Sequence, residues 1–148
     1  MVMNKPEGWM TESAGQTEAV GRELAIRLRA GDVVLVSGEI GAGKTTLVRA
    51  ICMALGVTET VTSPTYTIGR LYEGRDGDQG LLIAHLDLYR LGGLESEEPA
   101  LIEDYIGPDR LTLVEWPERA EGALTGRATF SVEIEHRGED RRRILCRG

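Results

Sequence analysis

At 148 residues, 41% of them hydrophobic, the chain has enough apolar material for one domain with a sizeable core and too little for two of ordinary size. A net charge of −7 excludes a strongly basic nucleic-acid-binding surface as the dominant feature, and the run Arg141-Arg142-Arg143 reads as a solvated strand edge. No run of about 18 apolar residues is present to span a membrane, the first residues lack the apolar stretch of a signal peptide, and Cys52 and Cys146 form neither a metal-ligand spacing nor a disulfide framework, so a reducing cytoplasm is expected.

Residues 1–10 are expected to be loosely ordered, with one domain over 11–148. Thr11 or Ser13 is placed to cap a helix whose apolar positions Ala19, Val20, Leu24, Ala25 and Leu28 follow helical spacing, ending before Gly31-Asp32. The apolar run Val33-Val34-Leu35-Val36 reads as a buried parallel strand. It leads into Ser37-Gly38-Glu39-Ile40-Gly41-Ala42-Gly43-Lys44-Thr45-Thr46, which fits G-x-x-x-x-G-K-[ST], and Lys44 to Leu55 is apolar at helical spacing with Gly56 where a C-cap belongs.

Strand, glycine loop and helix in that order predict a phosphate-binding P-loop. The glycines let polyphosphate oxygens approach the main-chain amides of Gly38, Gly41, Ala42 and Gly43, and the helix N-terminus adds partial positive charge. Lys44 supplies a mobile cation for the β- and γ-phosphates, the Thr45 hydroxyl a ligand for Mg²⁺, and Thr46 a contact to the α-phosphate. Of the 17 basic residues only Lys5 and Lys44 are lysine, so arginine carries the solvated positive charge.

Past the loop, Val57 to Thr67 is rich in hydroxyls and β-branched residues and reads as a loop entering a strand, Pro64 forbidding helix at Ser63. Glu73 to Gly80 reads as a polar turn, followed by a strand from Leu81 to Leu88. Gly92 to Tyr105 reads as loop and short helix. Leu111 to Val114 is a second buried strand, stopped by Pro117, and the alternating stretches Phe130–Ile134 and Arg143–Cys146 predict a terminal antiparallel pair. The fold class is α/β: a P-loop NTPase domain with a mostly parallel central sheet flanked by helices.

A P-loop nucleotidase needs a carboxylate at a neighbouring strand end to hold Mg²⁺ or orient water. Asp87 and Glu115 both stand at such ends. Thr62-Ser63-Pro64-Thr65 occupies the place of a switch loop, while His85 reads as a structural histidine and Trp116 as packing near the nucleotide or closing the core.

The segments GEIGAGKTTLVRA, TSPTYTI, HLDLYRL and VEWPERA, in this order and at these intervals from about Glu18 to Arg119, resemble the TsaE (YjeE) family of small bacterial ATPases. That family assists the assembly that makes threonylcarbamoyladenosine (t6A) in tRNA. The resemblance implies Thr45 and Glu115 as Mg²⁺ ligands, Asp87 as required for hydrolysis, Thr65 in a switch-like segment, Trp116 close to the site, and adenine contacts around Ser13 and Arg141. It also implies TsaB and TsaD as partners, with tRNA involved only indirectly. Glu39-Ile40 replaces the family's usual Asp-Leu in the loop.

These readings combine into Mg²⁺-dependent ATP hydrolysis, slow in isolation because the sequence identifies no arginine finger in cis, a device worth about 10³–10⁵ in rate. Two alternatives stand beside it. One is a small-molecule kinase with Arg90 and Arg70 or Arg75 in a lid; the other is a nucleotide-gated binding module with little hydrolysis. A GTPase is disfavoured by the lack of an N-K-x-D element.

Overall fold

The computed structural model of the chain describes residues 6–64, 67–89 and 98–148. Strand β1 (Glu7–Thr11) precedes helix α1 (Ala14–Ala25), then come β2 (Val33–Ser37), α2 (Lys44–Ala54), β3 (Gly69–Asp76), β4 (Gln79–Asp87), α3 (Glu98–Glu103), β5 (Arg110–Glu115), a 3₁₀ turn (Pro117–Ala120), α4 (Glu121–Leu124), β6 (Phe130–His136) and β7 (Arg142–Arg147). The seven strands form one sheet in the order β1-β7-β6-β2-β5-β4-β3. The central four, β6, β2, β5 and β4, are parallel, and the pairs at both ends are antiparallel.

Side-chain alternation sends the apolar residues of the central strands to both faces, as a sheet covered on both sides requires. Val34 and Val36 of β2, Ile83 of β4 and Leu111 and Leu113 of β5 pack with Leu47, Val48 and Ile51 of α2 and with Val20 and Leu24 of α1. Val33, Leu86 and Val114 face the other way and pack with Ile102 of α3 and Leu124 of α4. Helices α1 and α2 touch closely at Gly21, where an added Cβ would lie 2.7 Å from the Ala50 Cβ. Glycine is what lets the two backbones approach.

The expected C-terminal antiparallel pair is present as β6 and β7, with Ile134 opposite Ile144. Two expectations are corrected. Residues 1–10 are not all loosely ordered: Glu7–Thr11 pairs antiparallel with β7, and Trp9 packs on the core from that edge. Its shortness hid it: of five residues only Trp9 and Thr11 turn inward while Met10 is exposed, so no apolar alternation marks the strand. Likewise Glu73 to Gly80 is not a turn but mostly ladder, β3 running to Asp76 and β4 starting at Gln79, with the turn confined to Gly77-Asp78. Glu73 and Arg75 face solvent while Tyr72 and Gly74 face inward, and Gly77 takes the positive φ of 63° that a two-residue hairpin turn demands.

Register decides what stands at the carboxyl end of the sheet. Asp87 of β4 lies opposite Glu115 of β5, and Glu115 opposite Val36 of β2, so two acids flank the point where the chain leaves β2 for the glycine loop. Open sheets with helices on both faces bind ligands in the crevice at these strand ends.

Candidate functional site

The loop between β2 and α2 is shaped by positive φ at Gly41 (78°) and Gly43 (104°). Its close seat on β6 leaves no room for a side chain at Gly38, where a Cβ would fall 2.4 Å from the Ile134 carbonyl oxygen. Gly43 is the N-cap of α2 and offers no side chain to the first-turn amides of that helix. Such amides, together with the helix dipole, favour an anion.

A cleft of about 560 Å³ opens above the loop, lined by Gly41, Gly43, Lys44, Thr45 and Thr46 of the loop and α2, by Asp87, Tyr89, Glu115 and Trp116 at and just past the ends of β4 and β5, and by Arg142 of β7. Lys44 is buried, and its Nζ donates to the carbonyl oxygens of Gly38 (2.6 Å) and Glu39 (2.8 Å) while sitting 4.1 Å from the centre of the Trp116 ring. Burial lowers its pKa below the ordinary lysine value, opposed by the carboxylates of Glu115, Glu118, Asp87 and Glu39. Two acids, Asp87 and Glu115, line the cleft together with two cations, Lys44 and Arg142. Acids set beside an anion-binding loop suit an anion that arrives with a cation.

The donors for such a cation are in contact. Thr45 Oγ1 lies 3.1 Å from Glu115 Oε1 and 3.2 Å from Ser63 Oγ, so the first residue of α2 carrying a hydroxyl meets the end of β5 and the loop after α2. These are hard oxygen ligands, and among the described residues no cluster of three His, Cys, Asp or Glu forms a closed cage. One carboxylate and one hydroxyl, with the remaining positions left to phosphate and water, match the demands of Mg²⁺. Glu115 is 2% exposed and is held on its other oxygen by His85 Nε2 at 2.6 Å. Asp87 is half-buried at the cleft and accepts the Tyr89 amide at 3.1 Å, which fixes its carboxylate at the strand end.

A family model described as "Threonylcarbamoyl adenosine biosynthesis protein TsaE" matches residues 11–144. The chain belongs to the TsaE family. A Streptomyces coelicolor protein named tRNA threonylcarbamoyladenosine biosynthesis protein TsaE is 47% identical over 106 residues, covering 72% of this chain and 70% of the relative. Its Bacillus subtilis namesake is 35% identical over 136 residues, covering 92% and 82%. Among solved structures, Bacillus subtilis YdiB superposes with a TM-score of 0.77 at 30% identity, covering 100% of this chain and 88% of that one.

Of the residues singled out in the sequence, the structure brings Gly41, Gly43, Lys44, Thr45, Thr46, Asp87, Glu115 and Trp116 to the cleft, with the half-buried Gly38 and the buried Ala42 at the base of the loop. Thr65 lies outside the described residues, as does Arg90. Ser13 does not line the cleft; it caps α1, its Oγ accepting from the Gln16 amide. Arg141 does not line it either, but sits in the turn between β6 and β7, where its amide donates to the Gly138 carbonyl. Arg70 stacks on Tyr72 and Arg75 donates to the Asp78 carbonyl, both on the far hairpin, so neither serves as a lid.

Sequence reasoning missed Arg142. Its Nε donates to the Ala42 carbonyl at 2.7 Å and its Nη1 to the Glu139 and Arg141 carbonyls, tying the hairpin to the glycine loop. The alternation of Ile144 and Cys146 inward along β7 marks the parity of 142, not 141, and was the available signal. Tyr89 was also missed: its ring lies 4.9 Å from Trp116, with the Arg119 guanidinium over its other side. Trp116 holds a left-handed backbone (φ 58°), rare outside glycine, between the end of β5 at Glu115 and the 3₁₀ turn that starts at Pro117, and its indole lies over Lys44.

Proposed function

We propose that this TsaE-family chain binds ATP with Mg²⁺ and hydrolyses it in support of the assembly that installs t6A in tRNA, with TsaB and TsaD homologues as activating partners. The observation that carries this reading is the contact of Thr45 with Glu115 at 3.1 Å directly beside the glycine loop, with Asp87 in register next to Glu115. The family description supports the t6A process.

In this reading the loop amides and Lys44 hold the β- and γ-phosphates, and Lys44 leaves its carbonyl contacts to do so. Thr45 and Glu115 would hold Mg²⁺, whose charge would offset that of the phosphates. Glu115, buried and already bonded to Thr45 and His85, has little freedom to serve as a base. Asp87 is nearer the open cleft and orients the attacking water. Trp116 and Tyr89 wall the lysine side of the cleft and limit bulk water there. Among the described residues no helix is long and apolar enough to cross a membrane.

The test is phosphate release from ATP by the purified chain, alone and with TsaB and TsaD homologues, using Lys44→Ala as the blank. Stimulation by the pair is the expected result. ATP binding without release in either condition overturns the hydrolytic reading. Asp87→Asn is expected to keep nucleotide binding and lose turnover, whereas Glu115→Gln loses the dependence on metal.

A further inference from the structure

His85 lies directly behind the cleft, and the reading above gives it no task of its own. Its ring is 0% exposed on β4, two residues before Asp87 and therefore on the same face of the strand. An ionised carboxylate only accepts, so the ring nitrogen donates: Nε2–H to Oε2 of Glu115 at 2.6 Å. The other nitrogen, Nδ1, is buried without a hydrogen-bond partner among the described residues. A histidine retained for stability is ordinarily bonded at both nitrogens, because a buried polar atom left unpaired costs free energy. Setting it against a carboxylate that is itself 2% exposed adds a desolvation cost. What the arrangement achieves is orientation. With Oε2 engaged by His85 at 2.6 Å, Oε1 is the oxygen nearer the Thr45 hydroxyl, at 3.1 Å against 3.4 Å for Oε2, and is the one left to meet a cation there.

We propose that His85 is a positioning residue that holds Glu115 as a one-oxygen ligand and thereby makes the site select Mg²⁺ over Ca²⁺. This rests on the metal-nucleotide reading above. Mg²⁺ is small, demands near-octahedral geometry and is satisfied by single carboxylate oxygens, whereas Ca²⁺ takes more ligands and commonly binds carboxylates through both oxygens. A carboxylate pinned from behind favours the first and disfavours the second. Partners of this outer kind commonly contribute about 10–100-fold in metal affinity.

The test compares His85→Gln with His85→Asn by calorimetric titration of ATP in Mg²⁺, in Ca²⁺ and in EDTA, with thermal melting to establish folding. The Gln amide nitrogen reaches the place of Nε2 and keeps the donor; the Asn amide stops near the place of Nδ1 and loses it. Wild type and His85→Gln are expected to bind ATP more tightly with Mg²⁺ than with Ca²⁺. In His85→Asn the gain from Mg²⁺ should fall by about 10–100-fold and the preference collapse, while affinity in EDTA, set by the loop and Lys44, stays at the wild-type value. An unchanged Mg²⁺-to-Ca²⁺ ratio in a folded His85→Asn chain overturns the proposal. Should that variant not fold, His85→Met, apolar and closer in volume to histidine, is read against the same ratio with the same two outcomes. Wild-type binding that is identical in Mg²⁺, Ca²⁺ and EDTA overturns the metal-nucleotide reading itself, and is distinguished by appearing before any substitution is made.

Discussion

Replacing Arg142 by Met keeps much of the side chain's length and removes the guanidinium that ties the β6–β7 hairpin to the glycine loop. Of its two contacts to the loop, the one to Gly41 is at 3.5 Å and adds little, so the bond from Nε to the Ala42 carbonyl at 2.7 Å carries the tie. A hydrogen bond from a charged donor nets about 1.5–3 kcal/mol, and solvent screening of this half-buried residue brings that to about 1 kcal/mol. If the bond holds the loop in the geometry that meets phosphate, ATP affinity falls by about fivefold from this source. The loss of a cation lining the cleft adds a further decrease that shrinks as salt is raised. Titration with a fluorescent ATP analogue at low and high salt reads both parts, and Arg142→Lys should recover only the salt-sensitive part, because an ammonium lacks the fork that spans hairpin and loop. Melting temperature should move little. Wild-type affinity in Arg142→Met at both salt concentrations would refute the tie as a determinant of the loop's geometry.

Because burial holds Lys44 below the ordinary lysine value of 10.5, its cation is lost earlier than usual as pH rises, so ATP affinity measured from neutral pH to about 10 should decline while Lys44→Arg declines less. Stability moves oppositely from this group: the unfolded chain retains the proton longer, so the folded state gains as pH rises through the window between the lowered value and 10.5, which urea unfolding at graded pH would show. Gly21→Val forces a side chain against Ala50 and should cost about 1–3 kcal/mol, seen as a lowered melting temperature; an unchanged one would mean that α1 shifts freely on α2. The Cys52 thiol, pushed up to about 12 by burial, should resist thiol reagents at mildly alkaline pH in the native chain and react only on unfolding.

The glycine loop, the helix that follows it and the two strand-end acids were legible because their signals are local. Positive-φ glycines, a lysine at the helix start and an apolar run before them are fixed by neighbours in sequence. The terminal strand pair was legible for the same reason, through the alternation of Ile144 and Cys146. Strand β1 and the second half of β3, Glu73–Asp76, escaped because edge strands bury only one face and leave little alternation to read, so their pairing is decided by the strands beside them. Arg142 escaped because only the parity of Ile144 and Cys146 along β7 turns it toward the glycine loop, while Arg141 beside it belongs to the turn.

What the sequence determined by itself was the existence of a phosphate-binding loop between a buried strand and a helix, and a pair of acids fit to serve it. Only the tertiary structure decided which acid meets Thr45, that His85 stands behind it, and that Arg142 reaches back across the sheet. Those contacts join residues 30 to 100 positions apart. They depend on strand order and register, which arise from packing the whole sheet against its helices and leave no short-range trace in the chain.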